Sequence, residues 1–512
     1  MRKYTKMTKH PYLEFMRKEH FLIFLIIPFI FLFVVLLLKD AQGPYWLGSN
    51  SDPEYAYLLN SLNLAEGQPV GHVDHPGTPL QEAGAVVLKV FHSFRNAGTL
   101  SEDVLKNPEA YLLIMNGILL ALGVCLLFFI GWFAFRKTGD MRFSLLIQAS
   151  PFFSTALLLS AARMNPEPLL LVISFAMIPA ILFFRESFFI FSFLCGLGVA
   201  AKVTFLPMVL VPLFVLPGIF RKISFAVLMA AFVFWFTSPI ISEYGFILKL
   251  FRSLFMHTQI YGGGPEKIVD PRLYLANLKH LHQTEPVFFA VFYLSLFAWI
   301  RRKKKDFWLL SGILACQSSS ILMVAKHFMA GKEYYLLPAL MLSALSLYLF
   351  WEITSSRQDP RALFFSSLIG LFFIVRIFDL THTYFDLRKT KDEQLRVYRK
   401  VQEYPDHAKV YYYRSSSPYY ALKFGDDFSL GRHADVLNKL YPRVYFYNIW
   451  SSRYSGWNEW TNLGRIRNES GDRVIFQGSS FDKAYKIYPQ YRPIAVLTDI
   501  LGGDYETAYK LE

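Results

Sequence analysis

Apolar blocks recur along this chain from about residue 20 to about residue 380, and a chain patterned in that way has few folds open to it. A helix needs about 20 predominantly apolar residues to cross the hydrocarbon core of a bilayer. Runs of this kind read as spans at roughly 20–38, 110–135, 143–162, 167–184, 188–201, 203–220, 223–241, 286–300, 307–325, 334–351 and 363–380. Several fall short of that length, and 188–220 reads as either one broken pair or a re-entrant element. The fold class expected is an α-helical polytopic membrane protein of about 11 spans. The residue usage agrees, with 54% hydrophobic side chains and only 18% charged ones.

The formal charge of +14 would suggest nucleic acid on a soluble protein. Here much of the excess lies in short connections between apolar blocks. Residues 1–19 carry six Lys/Arg, whereas residues 40–109 carry three. If 1–19 is a cytoplasmic N-terminus, strict alternation puts Arg136-Lys137, Arg142, Arg185, Arg221-Lys222, Arg301 to Lys305, Arg357 and Arg361 on the cytoplasmic side too. The first block ends in LLLKDAQGPYW with no small-residue cleavage site, so it is expected to be a retained span. Cys125, Cys195 and Cys316 all lie in apolar blocks, which leaves no Cys for an outer disulfide framework or a Cys-type zinc site.

Three large segments then share the outer face: 40–109, 242–285 and 381–512. The last is polar enough to be soluble. Strand-like runs (Lys409 to Tyr413, Arg443 to Ile449, Arg473 to Gln477, Pro493 to Leu497) alternate with helix-like ones (Tyr419 to Phe424, Ala434 to Tyr441). A small C-terminal α/β extracytoplasmic domain is expected over 381–512, after a transmembrane domain over 20–380. Its many Tyr and Trp residues would suit stacking on sugars, although core packing accounts for most of them.

The first outer segment carries the most chemistry. Ser51 to Leu80 reads SDPEYAYLLNSLNLAEGQPVGHVDHPGTPL, directly after the first span. Pro53 biases Asp52 away from helix. Tyr55, Leu58, Leu59 and Leu62 have helical spacing, so Glu54 to Glu66 reads as an amphipathic helix lying on the membrane surface, with Asp52 near its N-cap. Acids at such positions are also ordinary helix chemistry. His72, Asp74 and His75 precede a rigid Pro-Gly-Thr-Pro turn. A divalent metal ion could be held by that set, and loop shaping by the prolines explains the segment equally well. Arg163, Lys202, Lys326 and Lys332 map to outer ends of spans, where they could meet a phosphate or serve as snorkelling anchors. Lys202 stands out because it interrupts an apolar stretch. In 242–285, His257 is a candidate phosphate contact beside a Gly-rich run, which lacks the ending of a Walker phosphate loop.

The order Asp52, Tyr55, Tyr57, Glu66-Gly67, Asp74-His75-Pro76 resembles the first outer loop of the GT-C glycosyltransferases. The likeness is to the branch of the protein O-mannosyltransferases and the bacterial aminoarabinose transferase of lipid A. Met164-Asn-Pro-Glu-Pro-Leu169, Ala200-Ala-Lys-Val-Thr-Phe-Leu-Pro207 and Gly331-Lys-Glu-Tyr-Tyr-Leu-Leu-Pro338 resemble later motifs of that family. The likeness covers roughly residues 20–380. Two departures stand out: Pro53 separates acids that are adjacent in the family, and Gly77-Thr78-Pro79 replaces a second proline.

The resemblance implies inverting transfer of a sugar from a polyprenyl-phosphate carrier to a lipid, glycan or protein acceptor outside the cytoplasmic membrane. It implies a catalytic role for Asp52, as general base, and for Glu54. It implies substrate contacts for Tyr55, Tyr57, Asp74, His75, Arg163, Glu167, Lys202, Lys332, Tyr334 and His257. The family has members with and without a metal ion, so cofactor dependence stays open. A bacterial inner membrane is the expected location. A transporter or flippase would instead need paired ionisable residues inside several spans and an internal repeat, neither of which the sequence displays. A polysaccharide polymerase or ligase is a neighbouring alternative.

Overall fold

The computed structural model describes residues 18–74, 76–95, 98–256, 268–301, 307–327, 332–354, 361–479 and 497–511. The chain is mostly helical up to Gln402 and ends in a sheet domain. α1 (Lys18–Gln42) leads into α2 (Ser51–Ala65), α3 (Thr78–Ser93) and α4 (Leu100–Lys106). α5 (Pro108–Thr138) follows, with Pro108 in its first turn and Gly139 at φ +67° closing its end. α8 (Pro166–Phe183) is reached through α6 (Met141–Gln148) and α7 (Thr155–Ala161). Then come α9 (Phe188–Ala201), α10 (Leu210–Val215), α11 (Ile219–Phe236), α12 (Tyr244–Met256), α13 (Pro271–Thr284), α14 (Pro286–Arg301), α15 (Phe307–His327), α16 (Leu337–Met341), α17 (Ser343–Thr354) and α18 (Arg361–Gln402).

Among the described residues, six helices are long and apolar enough to cross a membrane. Two further bent pairs, α13 with α14 and the 333–353 segment, raise this to as many as eight. Rings and aliphatic chains on the outer faces of these helices, such as Phe29, Phe33, Val227 and Trp235, are more than half exposed. Apolar surface on that scale is consistent with a multi-pass membrane protein.

Several expected spans are not single helices. The run 143–162 splits into α6 and α7, because Pro151 donates no backbone N–H and Ser154 caps a new helix at Ala156 N. The run 203–220 holds a 3-10 segment (Val203–Val209, with Pro207) and the short α10. At Glu285, which precedes Pro286, the chain bends by 100° between α13 and α14. The run 363–380 belongs to α18, which continues without a break to Gln402, so the helix crosses the expected domain boundary at 380.

The sheet has seven strands in the order β4-β3-β2-β1-β5-β7-β6. They are β1 (Ala408–Tyr411), β2 (Val444–Asn448), β3 (Arg453–Ser455), β4 (Trp460–Thr461), β5 (Val474–Gly478), β6 (Leu497–Leu501) and β7 (Thr507–Leu511). The central β1 runs parallel to both β2 and β5, and the other pairs are antiparallel. Three of the four expected strand runs appear. β6 begins at Leu497, where the fourth ends, and residues 493–496 lie outside the described residues. α19 (Pro418–Asp427), α20 (Ala434–Leu440) and α21 (Leu463–Ser470) complete the domain. Side chains alternate across β1: Val410 packs into the domain's own core with Tyr412, while Tyr411 joins a core shared with Tyr55, Leu58, Leu59 and Leu62 of α2.

That shared core fixes the domain to the helical part. Gly48 N donates to Ser416 Oγ at 2.9 Å. A β-carbon on Gly48 would lie 1.8 Å from the Arg414 carbonyl oxygen. Gly48→Ala is therefore expected to loosen this junction and to cost on the order of 1–3 kcal/mol. Thermal unfolding in detergent checks it, and an unchanged midpoint would mean the junction yields freely.

Glu506 holds the same loop from inside the domain. Its Oε1 accepts from Ser416 N at 2.8 Å and from Gln477 Nε2 at 2.7 Å. Burial pushes the Glu506 carboxyl up to about 7, and the hydrogen bonds from Ser416 and Gln477 offset this only in part. Between about 4.5 and 7 the folded chain thus keeps a proton that the unfolded chain has released. Stability should fall as pH rises through that window, by on the order of 3 kcal/mol. Glu506→Gln is expected to flatten the slope in denaturant titrations of the full chain. A residual slope of the same sign is expected from Asp426, which burial pushes up to about 6. A slope that Glu506→Gln leaves unchanged would remove Glu506 as its source.

Candidate functional site

The first loop and the ends of α8 and α9 bring acids and bases together beside the sheet domain. α2 starts at a turn in which Asp52 has extended backbone (φ −104°, ψ 116°) and Pro53 opens the helix proper. The Asp52–Pro53 bond is cis. Asp52 is exposed. Among the described residues its carboxylate caps no backbone N–H and pairs with no cation, so the N-cap role expected for it is not filled.

α2 itself is buried along nearly its whole length, not laid on a surface as its spacing predicts. α19 packs against it, as do α3 and α5. Two of its carboxamides reach backbone far away in sequence. Asn60 Nδ2 donates to Ala56 O and Phe428 O, and Asn63 Nδ2 donates to Ser429 O at 3.1 Å. Asn60 Oδ1 accepts from Gly71 N at 2.7 Å and His72 N at 3.2 Å. One buried carboxamide thus links α2, the sheet domain and the loop that carries His72 and Asp74.

Glu54 is fully buried. Arg163 grips it with two hydrogen bonds, Nε to Oε1 at 2.6 Å and Nη2 to Oε2 at 3.0 Å. The same Nη2 donates to the Asp52 carbonyl at 3.0 Å. Arg163 is placed in turn by Asn116 of α5, whose Nδ2 donates to Arg163 O at 2.6 Å. Through Arg163, Glu54 is thus tied to the Asp52 turn.

A second pair lies behind the first. Lys202 donates to Glu167 Oε1, and both side chains are buried. Lys202 Nζ sits 4.6 Å from the Tyr335 ring centre and 5.5 Å from that of Tyr334. Lys332 Nζ approaches Tyr335 OH at 3.5 Å. The Lys202 backbone ends α9 in an extended conformation and bridges to Pro76, which ties it to the first loop. Gly77 at φ +75° lets that loop pass the Tyr57 hydroxyl, which a β-carbon would meet at 2.6 Å. Burial pushes the Tyr57 phenol well up, and Asp74, Glu167, Tyr335 and Asp52 add to this, so it stays protonated as a donor. Tyr57 OH and Glu167 Oε2 are buried without a hydrogen-bond partner among the described residues. His72 Nδ1 lies 3.4 Å from Asp74 Oδ1, and its ring stands edge-on to Tyr57 at 5.0 Å.

Of the residues expected from sequence, Asp52, Glu54, Tyr57, Asp74, Arg163, Glu167, Lys202, Lys332 and Tyr334 therefore form one neighbourhood. Tyr55 departs from it: its hydroxyl donates to Glu109 Oε1 at 2.9 Å, in a network with Tyr45 and Lys39. His75 and His257 lie outside the described residues. Sequence reading missed Asn116, Glu109 and Lys39. Asn116 left a signal as a lone carboxamide within an apolar run, and Lys39 one as a cation closing the first span. Among the described residues, no three or more His, Cys, Asp or Glu converge so as to hold a metal ion.

A buried ion pair also lies within the helical part. Arg376 Nη2 donates to Glu285 Oε2 at 2.7 Å, and Nη1 donates to Asp379 Oδ2 at 3.0 Å. Ser154 donates to Glu285 Oε1 and Thr155 to Asp379 Oδ2, each at 2.5 Å. The pair joins α18 to the bend between α13 and α14. The partners are 91 residues apart, so sequence proximity gives no sign of them.

Chemically, the neighbourhood offers an exposed carboxylate, a protonated phenol, Lys332, and two further cations already paired with Glu54 and Glu167. No protein-family model matches the chain, and no curated protein matches it.

Proposed function

We propose that this chain is an inverting membrane glycosyltransferase of the GT-C type that uses a polyprenyl-phosphate-sugar donor. The observation that carries the reading is the Asp52 carboxylate: exposed and uncommitted, it stands at the rim of a buried group of paired acids and bases. In the reaction an acceptor hydroxyl oxygen attacks the anomeric carbon. Asp52 takes the hydroxyl proton. The anomeric carbon–oxygen bond to phosphate breaks, and polyprenyl phosphate leaves with the bonding electrons. Lys202 and Lys332 stabilise the developing phosphate charge, and Tyr57 with Glu167 bonds sugar hydroxyls. Arg163 and Glu54 hold the Asp52 turn in place. The reading puts eleven crossings in a bacterial cytoplasmic membrane, with the N-terminus inside and the sheet domain outside.

The test is a transfer assay on the purified chain. Polyprenyl-phosphate hexoses and pentoses are offered with cell-envelope acceptors, and release of polyprenyl phosphate is followed. Turnover with an inverted anomeric product is expected. A folded chain that consumes none of these donors would overturn the reading. A transporter or flippase draws support from one observation, the buried Arg376–Glu285 pair. It predicts movement of a labelled lipid or solute across proteoliposomes without release of polyprenyl phosphate.

A further inference from the structure

The sheet domain has a feature that the transfer chemistry leaves unused. In open α/β sheets, ligands bind outside the carboxyl ends of parallel strands, where the chain leaves neighbouring strands in opposite directions. β2, β1 and β5 are the parallel strands here. From β1 the chain passes through α19 and α20 to β2 on one side, while β5 lies on the other. β1 therefore borders the switch point, which lies between β1 and β5. Its carboxyl end runs into Tyr412, Tyr413 and Arg414, and that of β2 into Ile449 and Trp450.

These residues are presented firmly. Asn448 Oδ1 accepts from Trp450 N at 2.9 Å and Ser451 N at 3.1 Å, a side-chain turn that fixes the backbone carrying the indole. Trp450 is nonetheless 48% exposed. Its ring meets Tyr413 at 6.2 Å and 87°, which forms a corner of two aromatic faces. Arg414, exposed and at φ +55°, lies 5.4 Å from the Tyr413 ring centre. The edge also adjoins the turn that leads to Asp52, because the Arg414 carbonyl oxygen abuts Gly48.

We propose that this carboxyl edge, formed by Tyr413, Arg414 and Trp450 and adjoining the Gly48 turn that leads to Asp52, binds the saccharide portion of the acceptor. A corner of aromatic faces takes the C–H faces of pyranose rings, and a guanidinium beside it bonds hydroxyl or carboxylate oxygens. A lipid tail would call for a continuous apolar groove, and the exposed cation at this corner is ill suited to one. The role as acceptor site rests on the transferase reading; saccharide binding at Trp450 does not.

The test uses the full chain in detergent, labelled and applied to an immobilised array of hexose, N-acetylhexosamine and uronic-acid oligomers. Retention on at least one saccharide class is expected. Trp450→Ala should weaken it about tenfold, and Trp450→Phe should restore most of the loss. Retention of no saccharide by wild type, or equal binding by wild type and Trp450→Ala, would overturn the proposal. Each leaves the transferase reading standing if donor is still consumed. Saccharide binding that depends on Trp450 without donor consumption would support this site and remove its catalytic role. Trp450-dependent binding to peptides or lipid vesicles, with no saccharide retained, would also overturn it.

Discussion

Asp52→Asn is expected to lower donor turnover by about 10²–10⁴-fold, the usual contribution of a positioned general base. The loss should fall on kcat, because the amide keeps the shape of the side chain and loses only the capacity to accept the proton. The turn around it should survive, since Arg163 holds the Asp52 backbone carbonyl and not its carboxylate. The midpoint of thermal unfolding should therefore match wild type. Glu54→Gln serves as the contrast. It weakens the grip of Arg163 and should lower stability together with activity. If Asp52→Asn retains full turnover, Asp52 is not the base.

The second large effect concerns stability. Arg376→Met leaves the buried Glu285 carboxylate without its cation, and losing one member of such a pair costs about 3–5 kcal/mol. Ser154 remains as a partner for Glu285 and should moderate the loss. Replacing both, with Arg376→Met and Glu285→Gln, should recover much of it, because neither charge then needs compensation. Unfolding in mixed detergent measures all three variants, and the cycle gives the coupling. A single change that shifts stability by less than about 1 kcal/mol would show that water or lipid headgroups already screen the pair.

The limits of sequence reading follow from distance along the chain. α1, α5, α8 and α15 announce themselves, because a long uninterrupted apolar run needs nothing beyond itself to form a helix. The strands β1, β2 and β5 do so for a similar reason, with Tyr, Val, Ile and Phe in short runs. α2 was misread because its polar residues look like a solvent face. Asn60 and Asn63 are in fact bonded to carbonyls 368 and 366 residues away, and local periodicity cannot register them. The site divides in the same way. Asp52 and Lys202 were legible as polar interruptions of an apolar pattern. The partners of Glu54 and Lys202 were not, because ion pairing is decided by how helices dock. The aromatic corner of Tyr413 and Trp450 likewise exists only once the strand order is known.

On the transferase reading, α18 also bears on the choice of acceptor. A helix of 42 residues is roughly 63 Å long. From Leu371 to Gln402 it contains neither proline nor glycine, the usual causes of a kink. Such a helix acts as a stiff strut between the apolar bundle and the sheet. Together with the Gly48 junction, it holds the indole of Trp450 at a set reach from the carboxylate of Asp52. If both proposals hold, that reach would work as a gauge. Acceptors would be sorted by the number of sugar units between the ring held at the tryptophan and the hydroxyl that reacts.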